Sequence, residues 1–231
     1  ELSAVIEEAY RYFSVITVTG PRQSGKTTLI RNLFPHLPYY SLENLDVRSF
    51  AENDPVAFLN QHKEGMILDE VHNAPNLLSY IQGMVDDDAD RRFILSGSSQ
   101  FAMLKKVTQS LAGRTAVFEL LPMSYSEIRE IAADTPLDHL LFNGFYPAIY
   151  SGRNVPKFLY PAYMKTYLDK DVRDLLQIKD MMQFHTFIRL CAGRIGSLFK
   201  ASELANEIGI SSHTVTAWLS VLQASYIVVL L

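Results

Sequence analysis

Gly20-Pro21-Arg22-Gln23-Ser24-Gly25-Lys26-Thr27 restricts the fold of this 231-residue chain more than any other segment. It fits the pattern G-x-x-x-x-G-K-[ST] without a gap. Ser14 to Thr19, rich in β-branched residues, predicts a buried strand that ends at Gly20. A helical pattern runs from Lys26 to Phe34 and stops at Pro35. A glycine-bearing turn between strand and helix lets successive backbone N–H groups face one anion. The helix N-terminus adds the positive end of its dipole. Gly20, Pro21, Arg22, Gln23, Ser24, Gly25, Lys26, Thr27 and Thr28 are therefore a candidate phosphate cradle. In that role Lys26 reaches the β- and γ-phosphates as a point charge, and the Thr27 hydroxyl ligates Mg2+. The bland alternative is a strand-to-helix turn with a surface lysine. Because the loop reads as surface, replacing Lys26 is expected to cost little stability.

About forty residues downstream, Gly65-Met66-Ile67-Leu68-Asp69-Glu70 reads as an apolar strand ending in two carboxylates. In a parallel sheet the carboxyl ends of strands face the ligand crevice. Asp69 is then placed to hold Mg2+, and Glu70 to orient or deprotonate a water attacking a γ-phosphate. Many strands end in acids, so this pattern gains its meaning from the loop upstream. His72 is expected to be a polar loop residue, since no second histidine lies at metal-ligand spacing.

Further strands are predicted at Tyr39 to Leu42, Phe93 to Ser96 and Ala116 to Leu120, with helical patterns near 76–86 and 99–111. Strands alternating with helices imply a parallel sheet with crossover connections. The acidic run from Asp86 to Asp90 reads as a solvated loop rather than a cation site. Ser96, Ser98 and Ser99 end the fourth strand with hydroxyls. A hydroxyl there suits either a γ-phosphate contact or the N-cap of the next helix. Gly113 suits a helix C-terminal cap, and Arg114 just beyond it is either a surface residue or a finger reaching a neighbouring subunit's nucleotide.

The order of Gly20 to Thr27, Leu68-Asp69-Glu70, Leu95-Ser96-Gly97-Ser98-Ser99 and Ser110-Leu111-Ala112-Gly113-Arg114 resembles an AAA+ superfamily ATPase. More narrowly, it resembles a prokaryotic group whose ATPase core is followed by a conserved domain of unknown function. Phe142 to Pro147, Thr166 to Arg173 and the stretch 202–223 are similar to that second domain. The resemblance implies an α/β core with strand order 5-1-4-3-2, ATP with Mg2+ as ligands, and a cytoplasmic location. By position it implies that Ser98 is the sensor and Arg114 the finger, which in turn implies self-association. An AAA+ helical lid with its own nucleotide-sensing arginine is not expected between 125 and 150.

Pro122 to Pro136 marks a change of character, giving an ATPase-like domain at 1–130 and a mainly helical one at 131–231. Within the latter, Ser202 to Gln223 reads as helix, glycine turn, helix, capped by Ser202 and by Ser211 or Ser212. Tyr226 to Leu231 is expected to begin a wing strand, completing a winged-helix arrangement. Residues 213–223 contain no Lys or Arg, so DNA binding is less favoured than packing or contact with a protein partner. Trp218 is expected in the core. Phe158, Tyr160, Tyr163 and Tyr167 are expected to form an interdomain packing face.

Composition fits this picture. Hydrophobic residues are 48% and charged residues 20% of the chain, enough for a core without metals or disulfides. The net charge of −4 gives no overall electrostatic footprint for nucleic acid. A single cysteine excludes a disulfide framework within the chain and suits a reducing compartment. No apolar run approaches the ~20 residues of a transmembrane helix. Glu1 at the start and the apolar Ile227 to Leu231 at the end read as the edges of a fragment. The function expected is ATP binding and hydrolysis coupled to a change in the second domain; the alternatives are a nucleotide-gated interaction module or DNA-binding regulator with negligible turnover.

Overall fold

The structure, a computed structural model, describes residues 2–98, 107, 110–168 and 180–230. It divides into two compact units, 1–151 and 152–231. Residues up to 151 pack with the first unit.

The first unit is built on a five-stranded sheet: β1 (Val15–Thr19), β2 (Tyr39–Ser41), β3 (Gly65–Asp69), β4 (Arg92–Gly97) and β5 (Thr115–Glu119). The strand order is β2-β3-β4-β1-β5 and every pairing is parallel, as expected. β1 and β3 are buried along their whole length, which explains why they read as continuous apolar or β-branched runs rather than alternating ones. On one sheet face Leu68, Phe93 and Leu95 pack with Phe58, Leu78 and Ile81. On the other, Ile16, Val18, Ile67 and Ile94 pack with Ile6 of α1 (Leu2–Tyr10) and Ile30 of α2 (Lys26–Leu33). Truncating one of these large buried side chains to alanine typically costs ~2–5 kcal/mol.

Between β2 and β3 lie α3 (Leu45–Asn53) and α4 (Pro55–Leu59), and between β3 and β4 lies α5 (Leu77–Asp87). Asp86 and Asp87 therefore close a helix, and only 88–90 form the turn before β4. Beyond β5 follow α6 (Tyr125–Ile131), α7 (Leu137–Asn143) and α8 (Pro147–Tyr150), so short helices do occupy 125–150. Ser124 opens α6 with a capping box to Glu127. The helical pattern at 99–111 lies mostly outside the described residues, as does much of Thr166 to Arg173.

In the second unit, α9 (Pro156–Tyr163) runs into a π-helical turn at Met164–Leu168, and α10 (Met181–Ala192), α11 (Ala201–Ile208) and α12 (Ser212–Ala224) follow. Phe184, Phe187, Leu204, Val215, Trp218 and Leu222 form its core, with Trp218 edge-on to Phe184. Gly209, at φ +80°, makes the turn between α11 and α12. Ser211 caps α12 through the Thr214 N–H, but α11 begins at Ala201, so Ser202 is inside the helix and not its cap. Of the aromatic stretch, Tyr163 is buried and Phe158 exposed, while the Tyr167 side chain lies outside the described residues.

The expected wing strand is not found among the described residues. After α12 the backbone N–H groups of Ile227 and Val228 bond back to the Leu222 carbonyl, and both side chains pack on the helical core. Val229 and Leu230, which follow, are exposed. The helix-turn-helix part of the expectation stands.

Candidate functional site

The carboxyl ends of β1, β3 and β4 meet at one edge of the sheet, and the candidate residues from three separate segments converge there. β1 ends at Gly20, whose φ is +142°; a Cβ at this position would stand 2.1 Å from the Leu120 carbonyl oxygen. Glycine is thus required by the close passage of the chain leaving β5. Gln23 and Gly25 also adopt positive φ, at 63° and 99°, curling the loop back over the first turn of α2. Gly25 accepts the Leu29 N–H as the helix begins. Ser24 is buried, and its Oγ has no hydrogen-bond partner among the described residues. Arg22 lies 3.9 Å from Glu43, and Thr28 is exposed at the helix start.

Lys26 is only 5% exposed. Its Nζ donates to the carbonyls of Gly20 at 3.0 Å and Pro21 at 2.8 Å, so the ammonium is folded inside the loop and not displayed on the surface. Burial pushes its pKa below the usual lysine value, opposed by the nearby charges of Glu70 and Asp69.

Asp69 ends β3 and is buried among hydroxyl donors. Its Oδ2 accepts from Thr27 Oγ1 at 2.8 Å and from Tyr39 OH at 2.7 Å, and its Oδ1 accepts from Ser96 Oγ. Burial and the bond to Asp69 push the Tyr39 phenol up to about 12, so it remains a donor at neutral pH.

Glu70 has the left-handed φ of 54° and starts a 3-10 turn, Val71–Asn73. The reversal sends its side chain toward the end of β4. There Oε2 accepts from the Ser98 N–H at 3.0 Å and the Ser98 hydroxyl at 3.2 Å. His72 Nδ1 stands 3.1 Å from the same oxygen, close enough for an ion pair but poorly aligned for a hydrogen bond. Burial alone would raise the Glu70 pKa; His72, Ser98 and Lys26 outweigh it and hold the group at about 2. Glu70 is therefore ionised at neutral pH.

Arg114 is elsewhere. Its carbonyl accepts the Val15 N–H, which puts it at the opening end of β1, while the loop lies at the closing end. Five strand residues separate the two ends, roughly 17 Å at ~3.3 Å per residue. Its guanidinium makes a two-pronged contact with Asp86, Nε to Oδ1 at 2.5 Å and Nη2 to Oδ2 at 2.8 Å. The chain's own loop is out of its reach.

The sequence reading leaves Tyr39 and His72 outside the site and does not single out Ser96 among the strand-end hydroxyls. Tyr39 sits in a three-residue strand whose pattern announces only β structure. Ser96 belongs to the strand-end hydroxyl run, but which hydroxyl meets which acid depends on strand order. For His72 a signal did exist: two residues beyond Glu70, across a tight turn, is within reach of its carboxylate.

The residue types gathered here fit a phosphate chain and a hard cation. The buried Ser24 hydroxyl, the curled glycines and Lys26 suit an anion, and the Thr27 hydroxyl with the Asp69 carboxylate supplies oxygen donors for Mg2+. No group of three or more His, Cys, Asp or Glu side chains suited to a metal occurs among the described residues. A site with one carboxylate and one hydroxyl matches the habit of Mg2+, which completes its shell with water and phosphate oxygens.

Comparison with known proteins agrees with this architecture. Residues 12–129 match the family model described as AAA domain, and residues 134–231 match a domain of unknown function, DUF8612. The chain is 28% identical over 237 aligned positions to the uncharacterized protein Rv2008c of Mycobacterium tuberculosis, and equally to Mb2031c of Mycobacterium bovis. Both matches cover 99% of this chain and 52% of the relative, so the chain spans about half the length of these curated relatives. Among solved structures, the Walker-type ATPase PABY2304 of Pyrococcus abyssi superposes with a TM-score of 0.65 at 15% identity, covering 96% of this chain and 88% of that one.

Proposed function

We propose, from the premise that this chain belongs to the AAA domain family, that it binds ATP with Mg2+ at the Gly20–Thr28 loop, hydrolyses it, and couples the cycle to a change in the unit 152–231. The observation that carries this reading is the hydrogen bond between Thr27 and Asp69, with Glu70 and Ser98 beside it and Lys26 in the same loop. The loop N–H groups and Lys26 bind the phosphates; Thr27 and Asp69 hold the metal. Held there by Thr27 and Asp69, Mg2+ would supply positive charge against the phosphates. Glu70, ionised and fixed by Ser98, orients a water toward the γ-phosphate.

Arg114, out of reach of its own loop, is assigned to a neighbouring subunit's nucleotide, which makes self-association part of the proposal. The exposed positions of α12, Ser212, His213, Thr216, Ser220 and Gln223, carry neither Lys nor Arg, which favours a protein partner over DNA. No helix among the described residues is long and apolar enough to cross a membrane. The free Cys191 suits a reducing compartment, and the cytoplasm is the location proposed.

A second reading has its own support: both Ser98 donors fall on Glu70 Oε2. Held so throughout, Glu70 would leave a nucleotide switch with negligible turnover. Multiple-turnover phosphate release, wild type against Glu70→Gln, tests the choice: sustained release by the wild type supports hydrolysis, and binding without release supports the switch.

A further inference from the structure

Tyr39 stands apart from the rest of the acid cluster. Thr27 belongs to the loop, and Ser96 to the strand next to β3 on its β1 side. Tyr39 comes from β2, the strand on the other side, in a stretch with no phosphate-binding pattern. The register pairs Tyr39 with Ile67, two residues before Asp69. The ring must therefore lie along the sheet to span a two-residue step of about 6.6 Å, and its hydroxyl ends 2.7 Å from Asp69 Oδ2. Its placement is constrained at the other end as well. The ring packs against the core of the α2 sheet face, and the Arg31 guanidinium lies 4.9 Å from its centroid.

The consequence lies in how the acceptor sites of Asp69 are shared. A carboxylate oxygen has two lone-pair sites. Oδ2 uses both, on Thr27 and Tyr39, whereas Oδ1 spends one on Ser96. Tyr39 fills the second acceptor site of Oδ2, so among the described residues the acceptor site left open is on Oδ1.

We infer that Tyr39 is a positioning residue for Asp69, fixing its carboxylate so that the nucleotide-loaded site takes up a divalent cation, while contributing nothing to nucleotide binding itself. This rests on the nucleotide-binding reading above. Outer-shell partners of metal-binding groups commonly contribute about 10- to 100-fold in metal affinity.

The test uses the full chain and ADP, which avoids turnover. Binding of Mn2+ to the ADP complex is measured from the free-ion EPR signal, and ADP affinity is measured separately in EDTA. Tyr39→Phe is expected to weaken Mn2+ uptake about tenfold and to leave ADP affinity in EDTA within twofold of wild type. Tyr40→Phe is the control. It also removes a tyrosine hydroxyl from β2, one bonded to Gln61 at 2.9 Å and away from Asp69. Its Mn2+ affinity is expected to match wild type. Unchanged Mn2+ affinity in Tyr39→Phe, or an equal loss in Tyr40→Phe, overturns the inference while leaving the phosphate-loop reading intact. Failure of the wild type to bind ADP overturns both.

Discussion

Thr27 and Asp69, 42 positions apart in the chain, are joined by a hydrogen bond of 2.8 Å in which the threonine hydroxyl donates. A hydroxyl that gives its proton to a carboxylate keeps its lone pairs for a cation, so the pair works as a unit. Asp69→Asn keeps an acceptor for Thr27 but removes the charge. We predict that it weakens the Mg2+-dependent part of ATP binding by about tenfold or more, while affinity in EDTA changes little. Calorimetric titrations with and without Mg2+ separate the two parts; equal losses under both conditions would contradict the pairing.

Lys26→Ala is predicted to abolish tight MgATP binding, since backbone N–H groups cannot replace the lost charge. The burial of Lys26 changes what its loss means for stability. The variant leaves the Gly20 and Pro21 carbonyls without their donor, a cost of ~1–3 kcal/mol if water does not replace it. Urea unfolding should register that loss alongside the binding defect. Calorimetry showing unchanged ATP affinity would refute the phosphate-loop reading.

The parts of the site legible in the sequence are those fixed by local pattern. The loop, its flanking strand and helix, and the acidic end of β3 are each contiguous, and their periodicity and glycines announce them. Tyr39 and Ser96 were not legible as partners of Asp69, because that contact is made by strand order, with β2 and β4 on either side of β3. Asp86 was hidden for the same reason: it reads as one acid in a run, and only the fold brings it to Arg114. The second unit shows the opposite failure. The apolar run after Tyr226 has good strand propensity, but its first two residues, Ile227 and Val228, give their N–H groups to the Leu222 carbonyl.

Glu70→Gln is predicted to keep ATP binding and to lower turnover by about two to four orders of magnitude, the range for losing an acid–base group. The amide can still accept from Ser98, so the local fold is retained. Turnover within a factor of two of wild type would move the catalytic role to another residue.

The same variant carries a pH signature. Glu70 titrates at about 2 in the folded chain, below the ordinary glutamate value. The ionised group therefore adds stability that is fully present above about pH 5 and is lost as pH falls toward 2. Glutamine cannot titrate. The stability advantage of wild type over Glu70→Gln is predicted to shrink by about 1–2 kcal/mol between pH 5 and pH 3. Urea midpoints across that range provide the measurement, and a constant gap would show that Glu70 is not held in this way.

Arg114 faces away from its own loop, and its exposed ion pair with Asp86 contributes little to stability. Losing that pair should therefore leave the fold intact, so an activity defect in Arg114→Ala reports on function. A guanidinium acting on a neighbour's γ-phosphate can accelerate hydrolysis by several orders of magnitude. Acting in trans has two consequences. Activity per chain should rise with protein concentration. Two inactive variants should also complement each other: Glu70→Gln keeps its Arg114, and Arg114→Ala keeps its Glu70. Mixed in equal amounts, they are predicted to recover part of the lost ATPase activity at sites where an intact Glu70 meets a donated Arg114. The readout is phosphate release from the mixture against either variant alone, over a hundredfold dilution series. No recovery where the chains demonstrably associate, with activity per chain flat on dilution, would confine Arg114 to its contact with Asp86.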